Sequence, residues 1–87
     1  MSTLAKTLKD RQKTHGEFED HALLSQLLKH DMKEIPDWYS LAPDQKESLE
    51  MICHKIARIL NGDPNHHDHW HDIAGYATLV ANRLEVK

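Results

Sequence analysis

The sequence predicts an all-α fold: a small four-helix bundle, two helices long and two shorter, formed by a single helical domain over residues 1–87. Three observations carry that expectation. Apolar residues recur at three- and four-residue spacing along most of the chain. Glycine and proline fall mainly between the periodic stretches, where they end helices. One cysteine among 87 residues excludes a disulfide framework and a cysteine-based zinc finger. With 39% hydrophobic and 29% charged residues the chain is too apolar for disorder, and so short a chain has no room for a large enzyme core.

The elements follow in order. Leu4 and Leu8 stand one helical turn apart in a Lys-rich stretch, which predicts a short, mostly solvated first helix from Thr3 to about Lys13, interrupted by His15-Gly16. Phe18, Ala22, Leu24, Leu27 and Leu28 then recur at helical spacing to about Lys33, and Pro36 stops the second helix. The segment EIPDWYSLAPD predicts a loop whose Trp38 and Tyr39 fold over the core as a lid. Pro43 suits the first turn of a third helix that Asn61-Gly62 and Pro64 terminate, with Leu49, Ile52, Cys53, Ile56 and Leu60 as its core stripe. A fourth helix is expected from an N-cap near Asp68, presenting Trp70, Ile73, Ala74, Ala77, Ala81 and Leu84 to the third. Gly75 inside it predicts a close helix approach rather than a break.

Met51 and Ile59 on the third helix, and Tyr76 and Leu79 on the fourth, lie on shoulders of these stripes. Burying such shoulders against a second copy predicts a homo-oligomer, most simply a two-fold dimer; the N-terminal helices covering them within one chain is the equal alternative. A net charge of −3 argues against a nucleic-acid module. No apolar run reaches the length of a membrane span, and the opening MSTLAKTLKDRQK lacks the apolar centre of a secretory signal, so a cytoplasmic protein is expected.

Histidine is the compositional anomaly, with eight in the chain. His66, His67, His69 and His71 crowd the start of the fourth helix at i,i+3 and i,i+4 spacings that allow imidazoles to meet and hold a transition metal, though solvated histidines also bind such metals adventitiously. On the third helix Glu47, Glu50, His54 and Arg58 share a polar face, and His69 and Asp72 stand one turn apart on the fourth. Carboxylates on neighbouring helices can hold Mg²⁺ against a phosphate chain, which makes Glu47, Glu50, His69 and Asp72 the candidate metal set; ordinary solvated ion pairs are the competing reading. Cys53 on an apolar stripe reads as core, and no serine has a nucleophile's surroundings.

The runs HKIARILNGDPNHHDHWHDIAGYATL, RQKTHGEFEDHA and WYSLAPDQKESLEMI together resemble a family of small uncharacterised proteins encoded by tailed phages and prophages. The resemblance covers most of the chain. Its recurring parts fall here on Arg11, His15, Gly16 and Phe18, on Lys55, Arg58 and Ile59, and on Asp72, Ala74, Gly75, Tyr76 and Ala77. The same pattern is more distantly similar to nucleotide-modification-associated phage domains and to the all-α NTP pyrophosphatases of the MazG type. In those enzymes a Glu-Glu-x-x-Glu helix and a later Glu-x-x-Asp helix bind Mg²⁺ and the triphosphate. Glu47-x-x-Glu50 and His69-x-x-Asp72 stand where parts of those motifs would be. A histidine replaces one carboxylate, and Lys55 shares the helix, which weakens binding of a hard cation.

Two functions of different class follow. The leading expectation is a phage-encoded, non-catalytic accessory protein for host takeover or anti-defence, binding a host protein or a nucleotide ligand. The surface of the last two helices would do the binding, with Lys55, Arg58, Asp72 and Tyr76 as candidate ligand residues. The alternative is a Mg²⁺-dependent MazG-like nucleotide pyrophosphohydrolase using Glu47, Glu50 and Asp72, with Lys55 and Arg58 on phosphate. A helical DNA-binding regulator ranks last, because the third helix offers only Lys46, Lys55 and Arg58 among acids.

Overall fold

The computed structural model describes residues 3–85, and among these the chain is entirely helical, with no strand. Helix α1 spans Thr3–His15, α2 Phe18–Lys33, α3 Pro43–Asn61 and α4 His67–Leu84, with a 3-10 turn at Pro36–Ser40. No helix among the described residues is long and apolar enough to cross a membrane.

Local chemistry sets these boundaries. Helix α1 ends at Gly16, which takes φ +79° and returns its N–H to the Gln12 carbonyl at 3.0 Å. Glu17 is extended and leads into α2, whose first turn carries Glu19 and Asp20 where the helix dipole favours carboxylates. Pro36 holds Ile35 extended, so α2 cannot continue, and the 3-10 turn swings Trp38 into the core while Tyr39 stays outside. The expected aromatic lid is therefore one ring, not two. Pro43 opens α3, and Gln45 Oε1 accepts the Ala42 N–H at 2.8 Å to satisfy one free donor of that terminus. Helix α4 begins one residue before Asp68, with His66 rather than Asp68 at the N-cap, so the Asp68 carboxylate lies inside the positive first turn.

Helix α3 is the centre: α2 packs on one flank, α4 on the other, and α2 and α4 scarcely meet. Its buried residues accordingly fall on two arcs. At about 100° per residue, Ser48 and Lys55 face one flank while Cys53 and Ala57 face nearly the opposite one. The expected single stripe does not form a closed core within the chain: of Leu49, Ile52, Cys53, Ile56 and Leu60 only Cys53 is buried, and Leu60 is 67% exposed. On α4 the buried side chain is His69, whereas Trp70 and the alanines at 74, 77 and 81 are exposed. Trp70 instead lies back against the preceding loop, its ring N–H donating to the Pro64 carbonyl at 2.8 Å. Three polar contacts fix this rotation of α4: Asp72 meets Lys55 at 2.9 Å, Arg83 pairs with Asp44 at the start of α3, and His69 reaches α1.

No side chain of α1 is buried, and its C-terminal end is held by backbone. The Thr14 carbonyl accepts the Asp63 N–H at 2.9 Å and stands 2.8 Å from Nε2 of the buried His69 ring. Glycine is required on both sides of this junction, since a Cβ on Gly16 would lie 2.2 Å from the Asn61 carbonyl oxygen, and one on Gly62 2.2 Å from that of Thr14.

Gly75 differs. A Cβ there meets nothing within 4 Å, so this glycine faces away from α3 instead of admitting it. Gly75→Ala should raise stability by about 0.5–1 kcal/mol, from helix propensity alone. Urea unfolding of the two proteins checks this, and a loss of stability would mean that the bare backbone at 75 is in use.

Candidate functional site

The side of α3 away from its apolar residues carries His54 and Arg58. Helix α1 and the start of α2 close over that side. Leu8, Arg11 and His15 recur on one face of α1, and the turn at Gly16 brings Phe18 and His21 of α2 against the same space. The result is a groove of about 320 Å³ in which two guanidinium groups and three imidazoles meet the apolar walls of Leu8 and Phe18. Glu17 and Glu19 border it, with Glu17 Oε2 at 3.5 Å from Gln12 Nε2.

At its floor His21 Nε2 lies 3.3 Å from His54 Nδ1, with the rings edge to face. His21 is buried, and its Nδ1 has no hydrogen-bond partner; the hydroxyl of Ser25, one turn further along α2, is buried and unpartnered as well. With His21 donating to His54, the orphan at Nδ1 is a lone pair facing no donor. His15 joins a second imidazole group, its ring 4.9 Å from that of His69, which in turn lies 4.7 Å from His66. Nε2 of His69 carries its hydrogen, because the Thr14 carbonyl opposite can only accept.

The three imidazoles and Arg58 are all shifted toward loss of positive charge. Burial, then the charge of Arg58, holds both His15 and His54 down to about 4, and the same two causes lower His21. Burial and then repulsion from Arg11 lower the Arg58 guanidinium, with Asp72 and Tyr76 acting in the opposite sense. Among the described residues neither Arg11 nor Arg58 forms an ion pair. A half-buried guanidinium, a second facing it and imidazoles kept neutral leave the floor of the groove short of negative charge, with the carboxylates of Glu17 and Glu19 at its border.

The four expected ligand residues divide. Arg58 lines the groove. Lys55 and Asp72 neutralise each other, and hydrogen bonding to Lys55 holds the Asp72 carboxyl below the usual range. Asp72 and Tyr76 border a shallow depression of about 380 Å³ on the outer side of α4, with His71, Gly75 and Leu79. The four expected metal ligands are spread among other partners: Glu47 is exposed, Glu50 pairs with Lys33 at 3.4 Å, His69 faces Thr14 and Asp72 faces Lys55. Among the described residues no group of three or more His, Cys, Asp or Glu is placed to hold a metal ion. The crowded histidines separate into His66 with His69 and His67 stacked on His71 at 5.5 Å. Cys53 is buried with its thiol 3.6 Å from Met32 Sδ, and burial raises the thiol pKa.

Arg11, His15, Phe18 and His21 were not among the expected site residues. The first three belong to the recurring Arg and His-Gly-x-aromatic pattern, which was the available signal; His21 carried none, since its role arises only when α2 meets α3.

A comparison with protein families matches residues 2–84 to a domain of unknown function, DUF6378. The chain belongs to the DUF6378 family. No curated protein and no solved structure matches it. The DUF6378 domain here thus includes the whole groove, from Leu8 to Arg58, and the Thr14 junction beside it.

Two predictions follow from these charges. Above pH 6.5, the ordinary histidine value, His15 and His54 are neutral whether the chain is folded or not. As pH falls from there toward 4, the unfolded chain takes up protons that the folded site refuses, so stability declines across that window and levels below it. After solvent screening the loss is roughly 1–2 kcal/mol. Urea midpoints between pH 7.5 and 4.5 measure it, and His54→Gln should shrink the decline across the whole window. Separately, Asp72→Asn should lower Tm more than Lys55→Met, because the first leaves a buried ammonium without its counter-charge and the second removes that charge. Equal shifts would mean the pair is solvated.

Proposed function

We propose that this DUF6378 protein is a non-catalytic binding protein for a small phosphorylated ligand of the nucleotide class, held in the groove between α1, α2 and α3. The observation that carries this reading is Arg58, half-buried and in no ion pair among the described residues, repelled by Arg11 across the groove and only partly offset by Asp72, which Lys55 already engages. A phosphate between the two guanidinium groups supplies the missing charge through paired, charge-assisted hydrogen bonds. Beside them Phe18 offers an exposed ring at the groove's edge on which a base can stack, and His21 and His54 offer neutral imidazoles to hydroxyl groups. A volume of about 320 Å³ is at the small end of ligand pockets and suits a mononucleotide better than a polymer.

The resemblance of the Arg11, His15-Gly16, Phe18 and Asp72-to-Ala77 patterns to proteins of tailed phages and prophages supports a phage-encoded accessory role, in host takeover or anti-defence, in the host cytoplasm. Sequestering a nucleotide signal used by a host defence is the form of that role the groove favours. The Mg²⁺-dependent pyrophosphohydrolase is the second reading. It draws on the pairing of α3 with α4, and it requires Asp72 and Glu50 to leave Lys55 and Lys33.

Isothermal titration of the tag-free protein with a panel of nucleotides, cyclic ones included, with and without Mg²⁺, tests both while products are followed by chromatography. Binding without turnover, weakened at least about tenfold in Arg58→Ala, is the expected result, corresponding to a charge-assisted contact of roughly 1.5–3 kcal/mol. Turnover lost in Glu50→Ala and Asp72→Ala would replace it with the hydrolase. Absence of heat with every ligand would overturn the groove as a nucleotide site and leave a host protein as the partner.

A further inference from the structure

Domains are stable when two layers of secondary structure enclose a core between them, and here α2, α3 and α4 lie side by side as one. Such a layer has two broad faces. One carries His54 and Arg58 and is partly covered by α1. The other runs along α3 through Leu49, Ile56 and Leu60, which fall about 160–180° around the helix from Arg58. It continues onto α4 through Leu84, on the side away from Asp72, and onto α2 through Leu24 and Leu27, where the exposed Asp20 and Asp31 share the same arc and form its polar edge. This face is apolar and open: Leu27, Leu60 and Leu84 are 53%, 67% and 53% exposed. Among the described residues only Trp38, Cys53 and Ala57 form the buried hydrophobic core.

The area points the same way. The chain exposes 6448 Å², whereas a compact monomer of 10.1 kDa exposes about 5,300 Å². The excess, roughly 1,100 Å², is of the size that each partner buries in a stable protein–protein interface, about 800 Å² or somewhat more. We infer that a second copy of this chain covers the open face, leucines against leucines across a two-fold axis, and so supplies the second layer.

A second copy meets what the face requires. An isologous interface needs a self-complementary patch, and the aliphatic row of α3 and α4, Leu49, Ile56, Leu60 and Leu84, is complementary to itself without matching charges, with Asp20 and Asp31 at its rim. The two-fold arrangement also leaves the histidine and arginine groove of each chain on the outside, clear of the interface. The inference does not depend on what that groove binds.

Sedimentation equilibrium of the full chain tests it, with a mass near twice 10.1 kDa expected. Leu27→Lys and Leu60→Lys alter side chains that the chain's own packing leaves open, so each should bring the mass down to that of one chain. Leu79→Lys, equally exposed but on the opposite side of α4, should remain dimeric. Because two chains fold as one object, Tm should also rise with protein concentration, a readout that holds even if a lysine variant unfolds. A wild-type mass of one chain with a concentration-independent Tm would overturn the inference, as would a dimer that Leu79→Lys dissociates and Leu60→Lys does not.

Discussion

The carbonyl of Thr14 is the atom on which the arrangement turns. It accepts from the backbone of the α3–α4 loop at Asp63, and it is the counterpart of the buried His69 ring on α4. One oxygen thereby joins the end of α1, the end of α3 and the start of α4. Its position depends on Gly16 and Gly62, each close enough to the opposite strand of backbone that any side chain would collide. Everything that α1 contributes to the groove, from Leu8 and Arg11 to His15, is aimed by this junction, because α1 has no buried side chain of its own to hold it.

From the junction outward, the interior is built with polar groups where a larger domain would use hydrocarbon. His21, Ser25, Ser48, Lys55 and His69 are buried beside only three buried apolar residues. Such an interior is tolerable when charges are paired or suppressed. Lys55 has Asp72; the imidazoles at 15, 21 and 54 give up protonation under burial and under Arg58. Arg58 is the group for which the chain supplies no such settlement. That asymmetry, one region with its charges paired and its neighbour with a guanidinium in no ion pair among the described residues, sets the α3–α4 contact apart from the groove.

Much of the fold was legible because punctuation is local. Gly16, Pro36, Pro43 and Asn61-Gly62 act within a few residues of themselves, and each helix end lies close to where they put it. Which face of each helix turns inward was not legible. Periodicity marks the apolar side of α3 but cannot say whether α2 and α4 will lie on it or beside it, and they lie beside it. The rotation of α4 was likewise decided by His69, Asp72 and Arg83, polar residues that a hydrophobic pattern passes over. The site suffered for the same reason. Arg58 was found on its helix, yet its neighbours His21 and Arg11 come from segments that only the Gly16 turn brings near.

The Thr14 junction has a consequence for how the protein tolerates change. The decisive contact is made by a main-chain oxygen, and no exchange of one side chain for another at position 14 deletes it. A systematic replacement of residues by alanine would record at Thr14 only the loss of its hydroxyl's contacts with His15 and the Arg11 carbonyl, and would credit the junction to Gly16, Gly62 and His69, the positions that merely allow or answer it. The sequence of α1 is in this sense loosely constrained while its placement is not. Its surface can be rewritten residue by residue, altering the lining of the groove, without disturbing the atom that holds it in place.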